Sequence, residues 1–404
     1  MKGAVFAALT AAALIIPSNT AFAADSGSAS GFALKYEIKD KQVTVTGCTG
    51  KTSALNIPAE IEELPVTSVA ENAFAGNGDI TSCVLPDSIK SVGAKAFSTC
   101  PRLGSVTIGK NVASIGDYAF TACPVLSSVT VSTGNASYSS TGGCLYSGGD
   151  TLILYAGGVN AVISDKTRTV GKGAFFGRTN IVSVTFPKSV TALGDYAFSG
   201  CLSLKSADIP DSVTSLGKGC FMSCNALESA DLGASLKTVT ENCFHSCNSL
   251  EKVNIPDSIT AIEENAFYSC TALGELYIPS SVTSIGRDAV GRKYDVRSSS
   301  SENVQDFVIS GKSGSAAEKY AAEYKLGFKD VSCKKGDVNG DSFTDAVDAS
   351  AVLAEYARIS SGKSASFGSE QKKAADWNGD GITDAVDASG ILAEYARLSS
   401  KKTA

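Results

Sequence analysis

Histidine occurs once in the 404 residues, at His245, and no run of Lys and Arg is longer than two. Net charge is −6, and the sequence pI is near 5.1. Nucleic acid is therefore excluded as an expected partner, because phosphate binding needs clustered cations. His245 has no Ser or Cys arranged around it as a nucleophile, and no Gly-rich phosphate loop follows a strand pattern. A glycosidase needs two carboxylates held at a fixed separation. Glu263, Glu264 and Asp195 instead fall at variable positions of a repeat, as a solvated face would. An enzyme is not expected.

Long apolar runs are also missing, apart from one at the start. Lys2, the apolar stretch Ala4 to Ile16 and the small-x-small site Ala21-Phe22-Ala23 read as an export signal over residues 1–23. The competing reading is a buried N-terminal helix. The run is too short to span a bilayer comfortably, and no later stretch is long enough. The expected mature protein is secreted and extracellular, with no membrane span. Apolar residues make up 43% of the chain, enough for a sizeable core.

What is present in quantity is repetition. An Ala-Phe pair returns with its Phe at 74, 97 and 120, then at 175, 198, 221, 244 and 267, with Val290 in the next slot. Within each run the interval is 23 residues, and the gap from 120 to 175 is one period plus 32. The recurring unit also carries an apolar-Pro-x-Ser turn, a Gly step and Cys-x-x-Leu. Ser183-Val184-Thr185-Phe186-Pro187 alternates like a short strand with one face inward, and Pro stops it. A period in the twenties predicts a solenoid of stacked units that build a parallel sheet.

Of the twelve cysteines, eight fall on the same period. Cys100, Cys123, Cys201, Cys224, Cys247 and Cys270 sit three residues after the repeat Phe, and Cys220 and Cys243 take the Ala slot. A residue bound to a repeat position reads most simply as a small core group, and free Cys packs as one. Bridges between neighbouring coils remain open, and so does zinc at Cys220-x-x-x-Cys224 or at Cys243-x-x-x-Cys247 around His245.

This pattern, down to Asp257-Ser-Ile-Thr-Ala-Ile-Glu-Glu-Asn-Ala-Phe-Tyr-Ser-Cys-Thr-Ala-Leu273, resembles the BspA-like leucine-rich repeats of bacterial surface and secreted proteins. The resemblance implies a leucine-rich-repeat solenoid, a parallel β-sheet with short helices or turns. An N-terminal segment and cap would occupy 24–49, and repeats 50–302. A hairpin-bearing insertion near 133–165 includes Tyr138-Ser139-Ser140 and Gly143-Cys144-Leu145-Tyr146. A closing segment over 303–332 would hold a strand at Phe307–Ile309 and a helix from Ser315 to Tyr324. Family members are linked to adhesion and to protein or glycan binding.

From Lys334 a second repeat begins. Residues 337–348, DVNGDSFTDAVD, match 376–387, DWNGDGITDAVD. Each places oxygen side chains at loop positions 1, 3, 5, 9 and 12, the EF-hand ligand positions, with a backbone carbonyl at 7. The expected ligands are Asp337, Asn339, Asp341, Phe343 (carbonyl), Asp345 and Asp348, then Asp376, Asn378, Asp380, Ile382 (carbonyl), Asp384 and Asp387. Four carboxylates in so short a loop repel one another without a cation, and hard oxygen donors select Ca²⁺, hence two Ca²⁺ sites. Two features depart from the EF-hand: Asp in place of Glu at position 12, and Ser342 where the second loop has Gly381. Position 6 needs positive φ, so the first site is expected to be the strained one.

Each loop is followed by a near-identical helix, 349–358 and 388–397. A duplicated loop and helix at residues 333–404 closely resembles the dockerin domains of cellulosome-type assemblies, which bind cohesin modules on scaffoldins. The resemblance carries the cohesin contacts to Ala346, Val347, Leu353, Ala354 and Arg358, and to Ala385, Val386, Leu392, Ala393 and Arg397. Leu353 and Leu392 as plain core residues is the competing reading. Near-identity of the copies allows docking in two orientations. The expected function is a secreted, non-catalytic binding component, held on a scaffoldin in a polysaccharide-degrading complex and presenting its repeat surface to a glycan or a protein. The alternatives are an unrecognised carbohydrase and a structural or inhibitory partner. Exposed aromatics would favour glycan, scattered apolar anchors protein.

Overall fold

The computed structural model describes residues 19–21, 32–331, 335–340 and 343–401. The export signal therefore lies almost wholly outside the described residues. Among the described residues no helix is long and apolar enough to cross a membrane.

Residues 32–331 form a parallel solenoid. A hairpin, Ala33–Lys39 with Gln42–Thr49, opens it, and its second strand pairs in parallel with Leu64–Val69. Each coil then supplies a short strand before the Pro turn and a two-residue strand after it. The register advances by 23 residues per coil, as in Ser206↔Ser229 and Ser229↔Lys252. The Pro turn closes locally, with Val213 N–H donating to the Pro210 carbonyl at 3.0 Å and Ile259 N–H to that of Pro256 at 3.0 Å. Asp at the next position reaches the following coil: Asp211 accepts from Ala234 N–H at 2.7 Å. One residue type thus both turns the chain and ties two coils together.

The Ala-Phe segment is a run of turns and not a short helix. Two residues before each Phe the backbone enters the left-handed region, at Tyr118 (φ 60°), Tyr196 (53°), Asn242 (57°) and Asn265 (57°). A residue of that hand ends any right-handed helix, which is why the segment stays a corner. Gly219 takes the same place at φ 58°, and a Cβ there would also meet the Tyr196 ring at 2.5 Å.

Inside the corner the Phe rings stack along the solenoid axis, with centroids 5.2 Å apart for Phe198–Phe221, 5.4 Å for Phe221–Phe244 and 5.3 Å for Phe244–Phe267. The cysteines stand beside this column. The thiols of Cys224, Cys247 and Cys270 donate to the carbonyls of Phe198, Phe221 and Phe244 at 3.2 Å each. The period therefore selects Cys for a buried slot that faces a carbonyl of the preceding coil. The eleven described cysteines are all unbridged. Burial pushes the thiols of Cys201, Cys243 and Cys270 up to about 12.

The insertion is a three-stranded antiparallel unit, Tyr138–Thr141, Cys144–Ser147 and Thr151–Leu154. It parts the core into two clusters. Tyr155 restores the aromatic column by stacking on Phe175 at 4.5 Å. Arg178 occupies the slot that Cys holds in neighbouring coils. Its buried guanidinium donates to the carbonyls of Cys123, Leu126 and Gly157 at 3.2, 2.6 and 3.1 Å, which staples the insertion to the coils on either side.

A closing strand, Val308–Gly311, and helix α1, Ala316–Tyr324, cover the last coil. The strand begins one residue later than expected and runs two residues further, and Ser315 is the N-cap of α1. Tyr320 packs over the open end, its hydroxyl 3.1 Å from both Val290 N and Val290 O. Beyond lie α2 (Ala346–Ser360), α3 (Ser369–Ala375) and α4 (Ala385–Lys401), around a core of Val338, Ala349, Val352, Ala374, Ala375, Ala388 and Ile391.

Candidate functional site

The two loop-helix copies are built alike. Asp345 begins α2 as its N-cap, accepting from Val347 N–H at 2.7 Å, and Asp384 does the same for Val386 N–H at 2.7 Å. The position-12 carboxylate completes a capping box, with Asp348 accepting from Asp345 N–H at 2.9 Å and Asp387 from Asp384 N–H at 2.9 Å. The other oxygen of each reaches back into the loop. Asp348 accepts from Val338 and Asn339 N–H at 2.7 and 3.0 Å, and Asp387 from Trp377 and Asn378 N–H at 2.8 and 3.2 Å. Both carboxylates are fully buried. Loop closure and helix initiation therefore hang on the same two residues.

In the second loop Asp376 is wrapped by the backbone, accepting from Gly379, Asp380 and Gly381 N–H at 2.7, 3.0 and 3.0 Å. Gly381 has φ 81°, the left-handed turn expected at position 6. Its counterpart Ser342, and the expected ligand Asp341, lie outside the described residues. Among the described residues no three His, Cys, Asp or Glu side chains gather as a metal-holding group. The second-loop carboxylates lie on backbone amides, and Asp380 also holds Asn378 Nδ2 at 2.8 Å. The donor set is all oxygen and strongly acidic, and its loop is already curled around position 1; these residues fit Ca²⁺.

The thiols and His245 do not fit a metal. Cys220, Cys224, Cys243 and Cys247 are buried, and burial raises their pKa, whereas a thiol must lose its proton to bind zinc. His245 is half-buried, stacks on Tyr268 at 5.2 Å and contacts Ser246 Oγ through Nδ1 at 2.9 Å. The carboxylates weighed as a glycosidase pair tie coils together. Asp195 accepts from Lys218 N–H at 2.9 Å, Glu263 from Glu241 N–H at 2.9 Å, and Glu264 pairs with Arg287.

Leu353 and Leu392 prove not to be core. They are 44% and 42% exposed, while their neighbours Val352 and Ile391 are buried. Val347 and Val386 are exposed to 59% and 60%. Ala346, Ala354, Ala385 and Ala393 are exposed as well. Each helix therefore shows solvent an apolar stripe, and the stripe is longer than the sequence suggested. Tyr356 and Ile359 extend it on α2, and Tyr395 and Leu398 on α4. Spacing signals them, since both continue the three-to-four-residue step from Leu353 and Leu392. One difference between the copies is a compensated exchange. Val338 and Ala351 become Trp377 and Gly390, and a Cβ on Gly390 would fall 1.9 Å from the Trp377 ring.

Residues 52–145 and 168–297, more than half of the chain, match the BspA type leucine rich repeat region, and residues 335–393 match the dockerin type I domain. No curated protein matches. Among solved structures, a leucine-rich repeat protein from Eubacterium ventriosum is 21% identical, with 64% of this chain and 83% of that one covered and a TM-score of 0.43. A leucine rich cell surface protein from Faecalibacterium prausnitzii is 22% identical, covering 71% and 95%, with a TM-score of 0.36. A leucine-rich repeat protein from Bacteroides ovatus is 22% identical, covering 73% and 97%, also at 0.36. Dockerin type I domains in general bind calcium and attach to cohesins in cellulosome-like complexes. Repeats and dockerin are non-catalytic modules. This chain thus belongs to the BspA-type leucine-rich-repeat family and carries a type I dockerin domain behind its solenoid.

Proposed function

We propose that this protein is a secreted, non-catalytic component of a polysaccharide-degrading complex. Its dockerin, folded around two Ca²⁺ ions, plugs into a scaffoldin cohesin, and its solenoid holds a protein partner. The observation that carries the reading is the pair of matched apolar stripes, Val347-Leu353-Tyr356-Ile359 and Val386-Leu392-Tyr395-Leu398, each on a helix started by its own acidic loop. Exposed aromatic and aliphatic anchors of this kind make interface centres, and Arg358 and Arg397 supply a polar rim.

The first ion would be held by Asp337, Asn339, Asp341, the Phe343 carbonyl, Asp345 and Asp348. The second would be held by Asp376, Asn378, Asp380, the Ile382 carbonyl, Asp384 and Asp387. Calcium neutralises the clustered carboxylates and so stabilises the loop that starts each helix. Asp345 and Asp384 hold the first turns of α2 and α4, so the cation governs the helices that carry the stripes.

For the solenoid, the surface chemistry favours protein over glycan. Its large exposed apolar groups are chiefly aliphatic, Val84, Val125, Val159, Val162, Val182, Leu202 and Val296, with Tyr294 the one exposed aromatic among the described solenoid residues. They stand among ion pairs such as Lys205–Glu228 and Lys218–Glu241. Scattered aliphatic anchors with mixed charge suit a protein surface, whereas sugar rings need exposed aromatic platforms.

The test is titration calorimetry of the full chain with a recombinant type I cohesin, in calcium and in excess chelator, beside a depletion assay on insoluble plant polysaccharides. Cohesin binding only in calcium, with neither depletion nor release of reducing sugar, is the expected result. Sugar release would overturn the non-catalytic reading, and depletion without release would move the solenoid ligand to glycan.

A further inference from the structure

The dockerin touches its own solenoid, and it does so through one of its two copies. Asp231, Asn254 and Tyr277 end three successive strands, each 23 residues after the last. Arg358 at the end of α2 pairs with Asp231. Asn254 Nδ2 donates to the Ala365 carbonyl at 3.2 Å and to Asp231 at 2.8 Å. Tyr277 comes so close to Gly368 that a Cβ there would sit 2.6 Å from its hydroxyl. One coil earlier, Ser364 Oγ donates to Asp211 at 3.1 Å. Four consecutive coils thus each present a group to residues 358–368.

The segment that makes these contacts is itself anchored on α2. Buried Glu355 accepts from Ser366 and Phe367 N–H at 2.6 and 3.1 Å, and Arg358 Nε donates to the Ser364 carbonyl at 2.6 Å. The equivalent residues of α4, Glu394 and Arg397, pair with each other within their own helix, Nε to carboxylate at 2.6 Å. The Arg358 side chain is 25% exposed and that of Arg397 51%. The apolar stripes are equally open, so the difference between two near-identical copies lies in the arginine end. It comes from the connection 361–368 that follows α2.

We propose that residues 358–368 are an intramolecular docking element that seats the dockerin on the solenoid strand ends Asp231, Asn254 and Tyr277, so that a cohesin is received preferentially on the second copy. The orientation half of this rests on the cohesin reading above; the docking half does not. A partner that approaches α2 finds its rim arginine committed to Asp231, whereas the arginine at α4 is twice as exposed. The internal symmetry that would allow two orientations is thereby broken by the rest of the chain, and the solenoid is carried at a fixed angle to the scaffold.

The experiment uses the full chain in saturating calcium. X-ray scattering and hydrogen exchange would be measured for the wild type, Asp231→Arg, and the charge exchange Asp231→Arg with Arg358→Asp. The expected result is a larger maximum dimension and about tenfold faster exchange over 361–367 in Asp231→Arg, both reversed in the charge exchange. An unchanged envelope and unchanged exchange in Asp231→Arg would overturn the docking. Opening that the charge exchange fails to reverse would overturn the ion pair as its latch. For orientation, a recombinant type I cohesin would be titrated into Val386→Asp/Leu392→Asp and into Val347→Asp/Leu353→Asp. The first pair should weaken binding at least tenfold more than the second, and adding Asp231→Arg should narrow that difference. Equal losses in the two pairs would overturn the preference. The scattering needs no cohesin, so failure of the cohesin reading and failure of docking are told apart.

Discussion

The solenoid and the dockerin solve the same problem, burying enough surface to fold, by opposite means. In the solenoid most coils offer a Phe, a Cys and several branched aliphatics, and stacking joins them into long cores. The core among the described dockerin residues is small and rich in alanine, with Val338, Val352 and Ile391 its only larger fully buried side chains. An alanine core contributes little hydrophobic stabilisation, so the domain relies on its loops. The solenoid is stabilised along its length by neighbours, and the dockerin locally by charge and by the calcium proposed for its loops.

The largest expected effect follows from removing that metal. Excess chelator should melt α2 and α4 and abolish cohesin capture while the solenoid strands remain, because metal binding here is folding free energy. Circular dichroism together with hydrogen exchange checks this, and retained protection in 346–360 and 385–401 would break the comparison. Next comes the solenoid's own dependence on packing. Phe221→Ala opens the aromatic column and should cost about 3–5 kcal/mol, read as a lower urea midpoint for the solenoid transition with calcium binding unaltered. Asp387→Ala leaves three backbone amides of the second loop without their acceptor and should destabilise the dockerin by about 3 kcal/mol or more. Calorimetric melting would show it as a shift of the dockerin transition alone.

A smaller effect separates the regions by pH. Burial holds the Cys201, Cys243 and Cys270 thiols at about 12, against an ordinary value of 9.0. Their contribution is fully present below pH 9, where folded and unfolded thiols are both protonated. It is lost as pH rises towards about 12, since only the unfolded chain then ionises. The solenoid transition should fall between pH 9 and 11, and the dockerin, with no described cysteine in its core, should not follow it through this route. Smallest of all is chemical accessibility. Native alkylation should spare Cys224, Cys247 and Cys270, and unfolding without reductant should expose all three. A mass that shows bridges in the unfolded, unreduced chain would break the free-thiol account.

Much of the fold was legible because it is local and repeated. The 23-residue interval, the Pro turn and the paired acidic loops each reflect contacts within one unit or between adjacent identical units. The Ala-Phe corner was less legible: turns and short helices share a composition, and only the left-handed backbone at Tyr196 or Asn242 decides between them. Leu353 and Leu392 were ambiguous because an apolar residue on a helix faces either a core or a partner. Their exposure depends on how α2 and α4 pack against each other, and the stripe pattern by itself does not say.

The sequence alone determined the solenoid's period, the core slots of Phe and Cys, and the acidic loops with their helix starts, because each is a short-range rule repeated until chance is excluded. Tertiary structure alone decided where repetition fails. Tyr155 completes a column that belongs to another coil, Arg178 stands in a cysteine slot to staple an insertion, and Arg358 reaches Asp231 more than a hundred residues away. These contacts join segments that share no period, so their partners are set by how the chain packs in space.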